Sequence, residues 1–189
     1  MRDLDQLQRL LQERAYLRGQ FRLSSGRTSD HYFDAKLVTL DPEGMLLIGK
    51  LVFEMIRPYG AQAVGGLTIG ADPIAIAVAQ YAWSLGTRLP AFIVRKDPKE
   101  HGLSKYVEGP LPEGGPLAVV DDVITSGQSV LRAVDTLNKH HSCKVVVVAA
   151  LVDRGEGGSE AIRQSGYKFN ALFTADDVSP RLSTAHSSV

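Results

Sequence analysis

Two adjacent carboxylates, Asp121 and Asp122, stand at the end of an apolar run, just ahead of a turn rich in hydroxyls and glycine, Thr125-Ser126-Gly127. The whole stretch from Val119 to Ser129 reads VVDDVITSGQS. Its order is that of a buried strand, a short loop and the start of an amphipathic helix, and such a layout suits a sugar phosphate. The strand end carries the acids into a crevice, where they accept hydrogen bonds from vicinal hydroxyls more strongly than neutral groups would. The loop turns backbone N–H groups toward a phosphate. The helix N-terminus adds partial positive charge, because its first N–H groups have no intrahelical partners. Taken alone, an Asp-Asp pair is more simply read as a solvated turn in which Ser or Thr caps a helix.

A second constellation is basic. Arg95, Lys96, Lys99 and His101 form the densest cationic group in the chain, ordered R-K-x-x-K-x-H-G. They open a Gly- and Pro-rich stretch of about twenty residues without strong periodicity, and connections of that length are usually functional lids or disordered segments. A solvated charge run is the plainer account of the cluster by itself. Arg154 follows an unbroken apolar run, Val145 to Val152, and precedes a glycine-rich turn. His140 and His141 have no partner at metal-ligand spacing and receive no role.

The elements that must position these groups follow from periodicity. Leu4, Leu7, Leu10 and Leu11 predict an amphipathic helix over residues 3–16, packed on its own domain or on another subunit. Phe21 to Lys36 alternates around Ser-Gly-Arg as two short strands and a turn. Asp41-Pro42-Glu43 starts a helix that runs to about Arg57. Ala63 to Leu67 is a strand, and Thr68-Ile69-Gly70-Ala71-Asp72 is a small-residue turn leading into an apolar helix from Pro73 to Gly86. Further strands are expected at Pro90–Val94, Val145–Val152 and Tyr167–Thr174, with helices after Ser129 and over 159–165. Strands alternating with helices, and site residues at the strands' C-terminal ends, predict an α/β fold. The sheet would be open and parallel, flanked by helices, with ligands above one edge. One domain is expected over 1–189: a small N-terminal hood mainly at 1–40, a core at about 41–175 and a flexible tail at 178–189.

Three of these segments carry a resemblance. The run D-D-x-x-T-x-G after apolar residues resembles the 5-phosphoribosyl 1-diphosphate (PRPP) signature of type I phosphoribosyltransferases. Phe21, Leu23, Ser25, Gly26, Ser29, Tyr32 and Asp34 resemble the hood segment F-x-L-x-S-G-x-x-S-x-x-Y-x-D of orotate phosphoribosyltransferases, and the R-K-x-x-K-x-H-G run resembles their mobile catalytic loop. That family implies transfer of a phosphoribosyl group from PRPP to orotate with Mg²⁺, the metal being held mainly by PRPP and water. It also implies a homodimer whose basic loop closes over the neighbouring subunit's site.

The resemblance assigns roles by position. Asp121 and Asp122 would hold the ribose hydroxyls near the cationic character that develops there. Val123, Ile124, Thr125, Ser126, Gly127, Gln128 and Ser129 would cradle the 5′-phosphate. Arg95, Lys96, Lys99 and His101 would neutralise the leaving pyrophosphate. Lys99 would act in the transition state, where such preorganised groups are typically worth about 3–4 kcal/mol each. Arg154 would meet the orotate carboxylate with two parallel hydrogen bonds, Thr125 would touch the base, and Tyr32 and Phe33 would lie beside it. Without the resemblance these two aromatics read as core. Some family members carry Lys where this chain has Ser24 and Gly70, so its pyrophosphate contacts are expected to be fewer or made by backbone.

Composition sets the outer bounds. Apolar content of 44% and charged content of 22% over 189 residues are globular values. Lys plus Arg equals Asp plus Glu at 21 each, so no overall field draws the chain to nucleic acid or membrane, and a polyanion must meet a local basic cluster. The sole cysteine, Cys143, precludes an intrachain disulfide and reads as a small core residue. No apolar run reaches the ~18–20 residues of a membrane span, and the charged N-terminal stretch has no signal-peptide pattern. The expected compartment is cytoplasmic. Three rival readings are weaker. A purine offers no carboxylate to Arg154. A PRPP-sensing regulator could dispense with the basic loop. A P-loop kinase needs G-x-x-x-x-G-K-[ST], which is absent here.

Overall fold

The computed structural model describes residues 2–22, 28–97 and 106–179. Its N-terminal helix α1 (Arg2–Leu10) continues through a π-helical turn (Leu11–Ala15). Leu7, Leu10, Leu11 and Ala15 are buried against the chain's own core, so the apolar stripe packs within the subunit. Gln8 and Gln12 donate to the Asp177 carbonyl at 2.6 and 2.7 Å, tying this helix to the far end of the chain.

The hood is the antiparallel pair β1 (Tyr16–Arg22) and β2 (Thr28–Phe33). β1 begins at Tyr16, earlier than the alternation around Ser-Gly-Arg indicates, because Ala15 closes the helical segment and its carbonyl accepts from Asp34 N–H at 2.8 Å. The turn between the strands, with Leu23, Ser25 and Gly26, lies outside the described residues. A short helix α2 (Lys36–Thr39) leads to α3 (Pro42–Ile56). The predicted N-cap is realised: the Asp41 carboxylate accepts from the backbone N–H groups of Glu43 and Gly44, an arrangement worth about 1 kcal/mol.

The main sheet is built from central strands buried along nearly their whole length. Strands β3 (Ala63–Leu67), β4 (Ala91–Val94), β5 (Val107–Glu108), β6 (Pro116–Ile124), β7 (Lys144–Asp153) and β8 (Phe169–Thr174) take the order β5-β4-β3-β6-β7-β8. All neighbours are parallel except β5, which runs antiparallel to β4 and makes that edge mixed. Ala118 and Val120 of β6, with Val147, Ala149 and Leu151 of β7, join α1, α3 and α4 (Ala71–Ser84) in one core. Leu117, Val119, Val148 and Ala150 join α5 (Gln128–His140) and α6 (Gly158–Gln164) in the other. Successive side chains of a strand face opposite ways, so an unbroken apolar run is what a strand covered on both faces requires. A capping box at Thr174 and Asp177 starts the last helix, α7 (Ala175–Val178). No helix among the described residues is long and apolar enough to cross a membrane.

Parallel strands put all their C-terminal ends on one edge of the sheet. Along that edge, in order, come Arg95 after β4, Thr68 to Gly70 after β3, Asp121 to Gly127 at the end of β6, and Arg154 after β7.

Candidate active site at the C-terminal edge of the sheet

The acid pair lies inside β6. Asp121 is 6% exposed and Asp122 9%. Each carboxylate is held by backbone: Asp121 Oδ1 accepts from Asp122 N–H at 3.0 Å, and Asp122 Oδ1 accepts from Val123 N–H at 2.8 Å. The second oxygen of Asp122 lies 3.4 Å from Lys36 Nζ, which also sits 3.1 Å from Asp34 Oδ1 at the end of the hood. Burial, and then the neighbouring charge of Asp122, push the Asp121 carboxyl up to about 8. Two adjacent acids withdrawn from water cannot both ionise freely. Lys36 is held above its usual range by Asp122 and Asp34, against the opposing effect of its partial burial.

Gly70 explains how the pair is enclosed. A Cβ at this position would stand 2.6 Å from Asp121 Oδ1 and 2.7 Å from Asp122 Oδ1. The β3–α4 turn therefore leans directly on the carboxylates, and a side chain here would require them to shift. Beside it, Thr68 Oγ1 donates to Asp72 Oδ2 at 2.7 Å, while Asp72 Oδ1 is buried with no hydrogen-bond partner among the described residues.

The turn after the acids is open to a ligand. Ser126, Gln128 and Ser129 are exposed and Thr125 is half-buried. Gly127 adopts φ 77° and leads into α5 with no side-chain cap on the helix. Left-handed backbone here favours glycine, and the first-turn N–H groups of this thirteen-residue helix have no side-chain cap, an arrangement able to receive an anion. Ile124 is buried at 2% exposure in the core on the α5–α6 face and Val123 packs against the core on the opposite face, so these two residues face the turn only through backbone. The Ile124 carbonyl already accepts from Arg154 N–H at 2.9 Å. That bond ties the loop after β7 to the turn after β6. The Arg154 guanidinium is 38% exposed and pairs with Glu156 at 3.0 Å, a contact in solvent that a ligand carboxylate can replace.

The hood aromatics separate. Phe33 packs edge-on against Tyr16 with centroids 5.2 Å apart and joins the core, whereas Tyr32 is 40% exposed and lies 5.6 Å from Phe21. Neighbours on a strand face opposite ways, so the described hood offers Tyr32 to a flat ligand and Phe33 to the interior.

Of the basic cluster, Arg95 and Lys96 are described, and Lys99 and His101 lie outside the described residues. Arg95 pairs with Glu108 across β4–β5 at 3.4 Å. Arg132 of α5 donates to the Lys96 carbonyl and lies 3.4 Å from Asp97 Oδ1, holding the start of the basic segment against α5. His140 stacks on Tyr106 at 4.1 Å, which gives that helix-end imidazole a packing role at the other end of the segment. Cys143 is half-buried, donates to the Pro112 carbonyl at 3.3 Å, and its thiol is pushed up by burial. It is an inert packing residue. Lys36 and Arg132 were not singled out by motif or spacing, since both act on partners remote in sequence. A groove between α3 and α4, lined by Pro42, Met45, Leu46, Ala77 and Tyr81, contains none of the site residues.

Comparison with known proteins agrees with this geometry. Residues 42–167 match the phosphoribosyl transferase domain family. Orotate phosphoribosyltransferase of a Nostoc species is 46% identical over 173 residues, covering 91% of this chain and 83% of that protein. The Aquifex aeolicus orotate phosphoribosyltransferase is 40% identical, covering 94% and 98%. Among solved structures, Mycobacterium tuberculosis orotate phosphoribosyltransferase in complex with Fe(III) dicitrate superposes with TM-score 0.85 at 36% identity, covering 93% and 98%. The same enzyme in complex with PRPP gives 0.80 at 34% identity, covering 93% and 98%. With its acid pair, glycine turn and flanked sheet in this register, the chain belongs to the orotate phosphoribosyltransferase family.

Proposed function

We propose that this chain transfers the 5-phosphoribosyl group of PRPP to orotate, giving orotidine 5′-monophosphate and pyrophosphate in de novo pyrimidine synthesis. The observation that carries the reading is the buried acid pair of β6 running straight into the glycine turn and uncapped helix α5, with Arg154 bonded to that turn.

Each group then has a task. Asp121 and Asp122 accept from the ribose hydroxyls and stay close as positive character grows on the anomeric carbon. The turn from Thr125 to Ser129 takes the 5′-phosphate through backbone N–H groups and hydroxyls. Arg154 exchanges Glu156 for the orotate carboxylate, Thr125 touches the base, and Tyr32 covers it. Arg95, Lys96, Lys99 and His101 neutralise pyrophosphate as it leaves, with Lys99 the main transition-state cation. Closure of the segment bearing them excludes water as a competing nucleophile.

Mg²⁺, when bound with PRPP, would offset charge on its diphosphate. The residues present fit an ion of this kind. Mg²⁺ takes one or two carboxylates alongside phosphate oxygens and keeps several waters. The unpartnered Oδ1 of Asp72, beside the acid pair's glycine lid, is an acceptor suited to a metal-bound water.

The reading includes a cytoplasmic homodimer in which the basic segment of one subunit serves the other's site. Leu46, Ile76 and Trp83 on α3 and α4 are 73%, 48% and 72% exposed, an apolar surface for a second copy to cover. Mixing Lys99→Ala with Asp121→Asn subunits regenerates activity if segments are shared, and heterodimers that stay inactive count against sharing. The primary test is loss of orotate absorbance with PRPP and Mg²⁺, run beside uracil, adenine and hypoxanthine. Orotate alone is expected to react, and turnover of a purine in its place would overturn the assignment.

A further inference from the structure

Lys36 stands where the two halves of the site meet. It opens α2, immediately beyond the hood, and its ammonium lies 3.1 Å from Asp34 and 3.4 Å from Asp122, whose positions are 86 residues apart from Lys36 in the latter case. Asp34 is itself fixed. Its carboxylate accepts Lys36 N–H at 3.0 Å, and its own N–H donates to the Ala15 carbonyl at 2.8 Å. Asp34 follows Tyr32 and Phe33 directly, and Asp122 is held through Val123 N–H within β6. A continuous polar chain therefore runs from the hood aromatics through Asp34 and Lys36 to the acid on the ribose side.

We propose that Lys36 is a positioning residue for phosphoribosyl transfer, its ammonium fixing the Asp122 carboxylate relative to the hood that carries the base. The proposal rests on the functional reading above, in which Asp122 holds ribose and Tyr32 covers orotate. The base nitrogen must approach the anomeric carbon along a defined line, and the two partners are gripped by different elements. PRPP has the turn before α5 and the pyrophosphate cations for affinity, and orotate has Arg154. Each substrate can thus bind without Lys36. What the ammonium adds is their mutual alignment. A misplacement of about 1 Å between reacting groups costs up to about 100-fold in rate. The Lys36 side chain is 36% exposed but that of Asp122 is only 12% exposed, so loss of the ammonium leaves a buried acid less compensated, and unfolding is followed beside the kinetics.

The test is steady-state kinetics of Lys36→Met and Lys36→Arg beside the unaltered enzyme, with thermal unfolding of each. For Lys36→Met, kcat is expected to fall about 10- to 100-fold while the KM values for orotate and PRPP each stay within about threefold. Lys36→Arg, whose guanidinium can meet both carboxylates, is expected to recover most of the lost rate. If Lys36→Met fails to fold, Lys36→Gln beside Lys36→Arg carries the same comparison, because only the latter restores the charge. An unchanged kcat in the uncharged variants of an active enzyme would overturn the proposal alone, as would a loss confined to the PRPP KM. An unaltered enzyme that does not convert orotate would sink the functional reading and this proposal with it.

Discussion

Asp121 and Asp122 sit within the middle of the sheet, on a strand with hydrogen-bonded neighbours on both sides, and are at most 9% exposed. Arg95 and Lys96 stand after β4, nearer the sheet's edge; the Arg95 side chain is 40% exposed, and its carboxylate partner Glu108 is 42% exposed. The acids are held by backbone N–H groups of their own strand, while the Arg95 guanidinium is held by the exposed Glu108 carboxylate and the Asp97 carbonyl, contacts that water can replace. On the proposed function this difference matches two chemical tasks: ribose would be gripped at fixed geometry by acids within the sheet, and pyrophosphate would be drawn off and released by cations held less firmly.

If that division is correct, the largest kinetic loss comes from the loosely held side. Lys99→Ala is expected to lower kcat about 100- to 1,000-fold, the cost of one preorganised charge at a developing anion. PRPP binding, measured by calorimetry, should persist because the turn before α5 is intact. Unchanged turnover would remove Lys99 from its role and leave the cationic side without its main member.

Arg154→Ala probes the rigid side at its junction with the base. A charge-assisted hydrogen bond contributes about 1.5–3 kcal/mol, so the KM for orotate should rise about 10- to 100-fold. The KM for PRPP should change little, because the Arg154 backbone bond to Ile124 survives the substitution. An equal rise in both KM values would contradict the carboxylate assignment.

Asp121 gives the rigid side a pH signature. Its carboxyl is raised to about 8 in the free protein by burial and by Asp122, far above the unfolded carboxylate value of about 4. Between those two values the native state binds more protons than the unfolded state, so this group makes stability fall as pH rises. Asp121→Asn should flatten that slope and raise the melting temperature at about pH 8 more than at about pH 5. The ionised form accepts from ribose hydroxyls more strongly than the neutral acid, so if binding selects it, PRPP binding should release a proton. Calorimetry in buffers of different ionisation enthalpy measures this, at a pH above about 7 where the phosphate's own second proton is already lost. PRPP binding without proton release near neutrality would mean that Asp121 stays protonated in the complex.

The rigid half of the site was legible in the chain, and the reason is physical. A strand buried on both faces must be apolar throughout, so Val145 to Val152 and the residues up to Val120 announce themselves, and an acid pair ending such a run stands out. Asp41 and Pro42 mark a helix start because capping is local. Groups that act across the fold left no such trace. Lys36 reads as the end of a hairpin until the hood folds over β6, and Arg132 reads as one more exposed helix residue until α5 meets the start of the basic segment. Gly70 looked like a lost lysine; in the fold it lets the turn pack against two carboxylate oxygens. Elements of two to four residues, β5, α2 and α7, are too short for periodicity to register. Lys99 and His101 rest on the family resemblance, which covers a segment that neither periodicity nor the described structure reaches.

The smallest expected effect tests how loosely the cations are held. Arg95 spends its charge on Glu108 at 3.4 Å in a pair that is about two-fifths exposed on both sides. Pairs of this kind contribute about 0.2–1 kcal/mol. A diphosphate arriving at Arg95 must displace or share that carboxylate, and the like charge of Glu108 opposes it at the same time. Glu108→Gln should therefore lower the KM for PRPP by about two- to threefold with kcat nearly unchanged, and the gain should shrink as salt is added, because screening weakens exposed charges most. A rise in the PRPP KM would mean that Glu108 orients Arg95 for the substrate instead of competing with it, and the cationic edge would then be as preorganised as the acid pair.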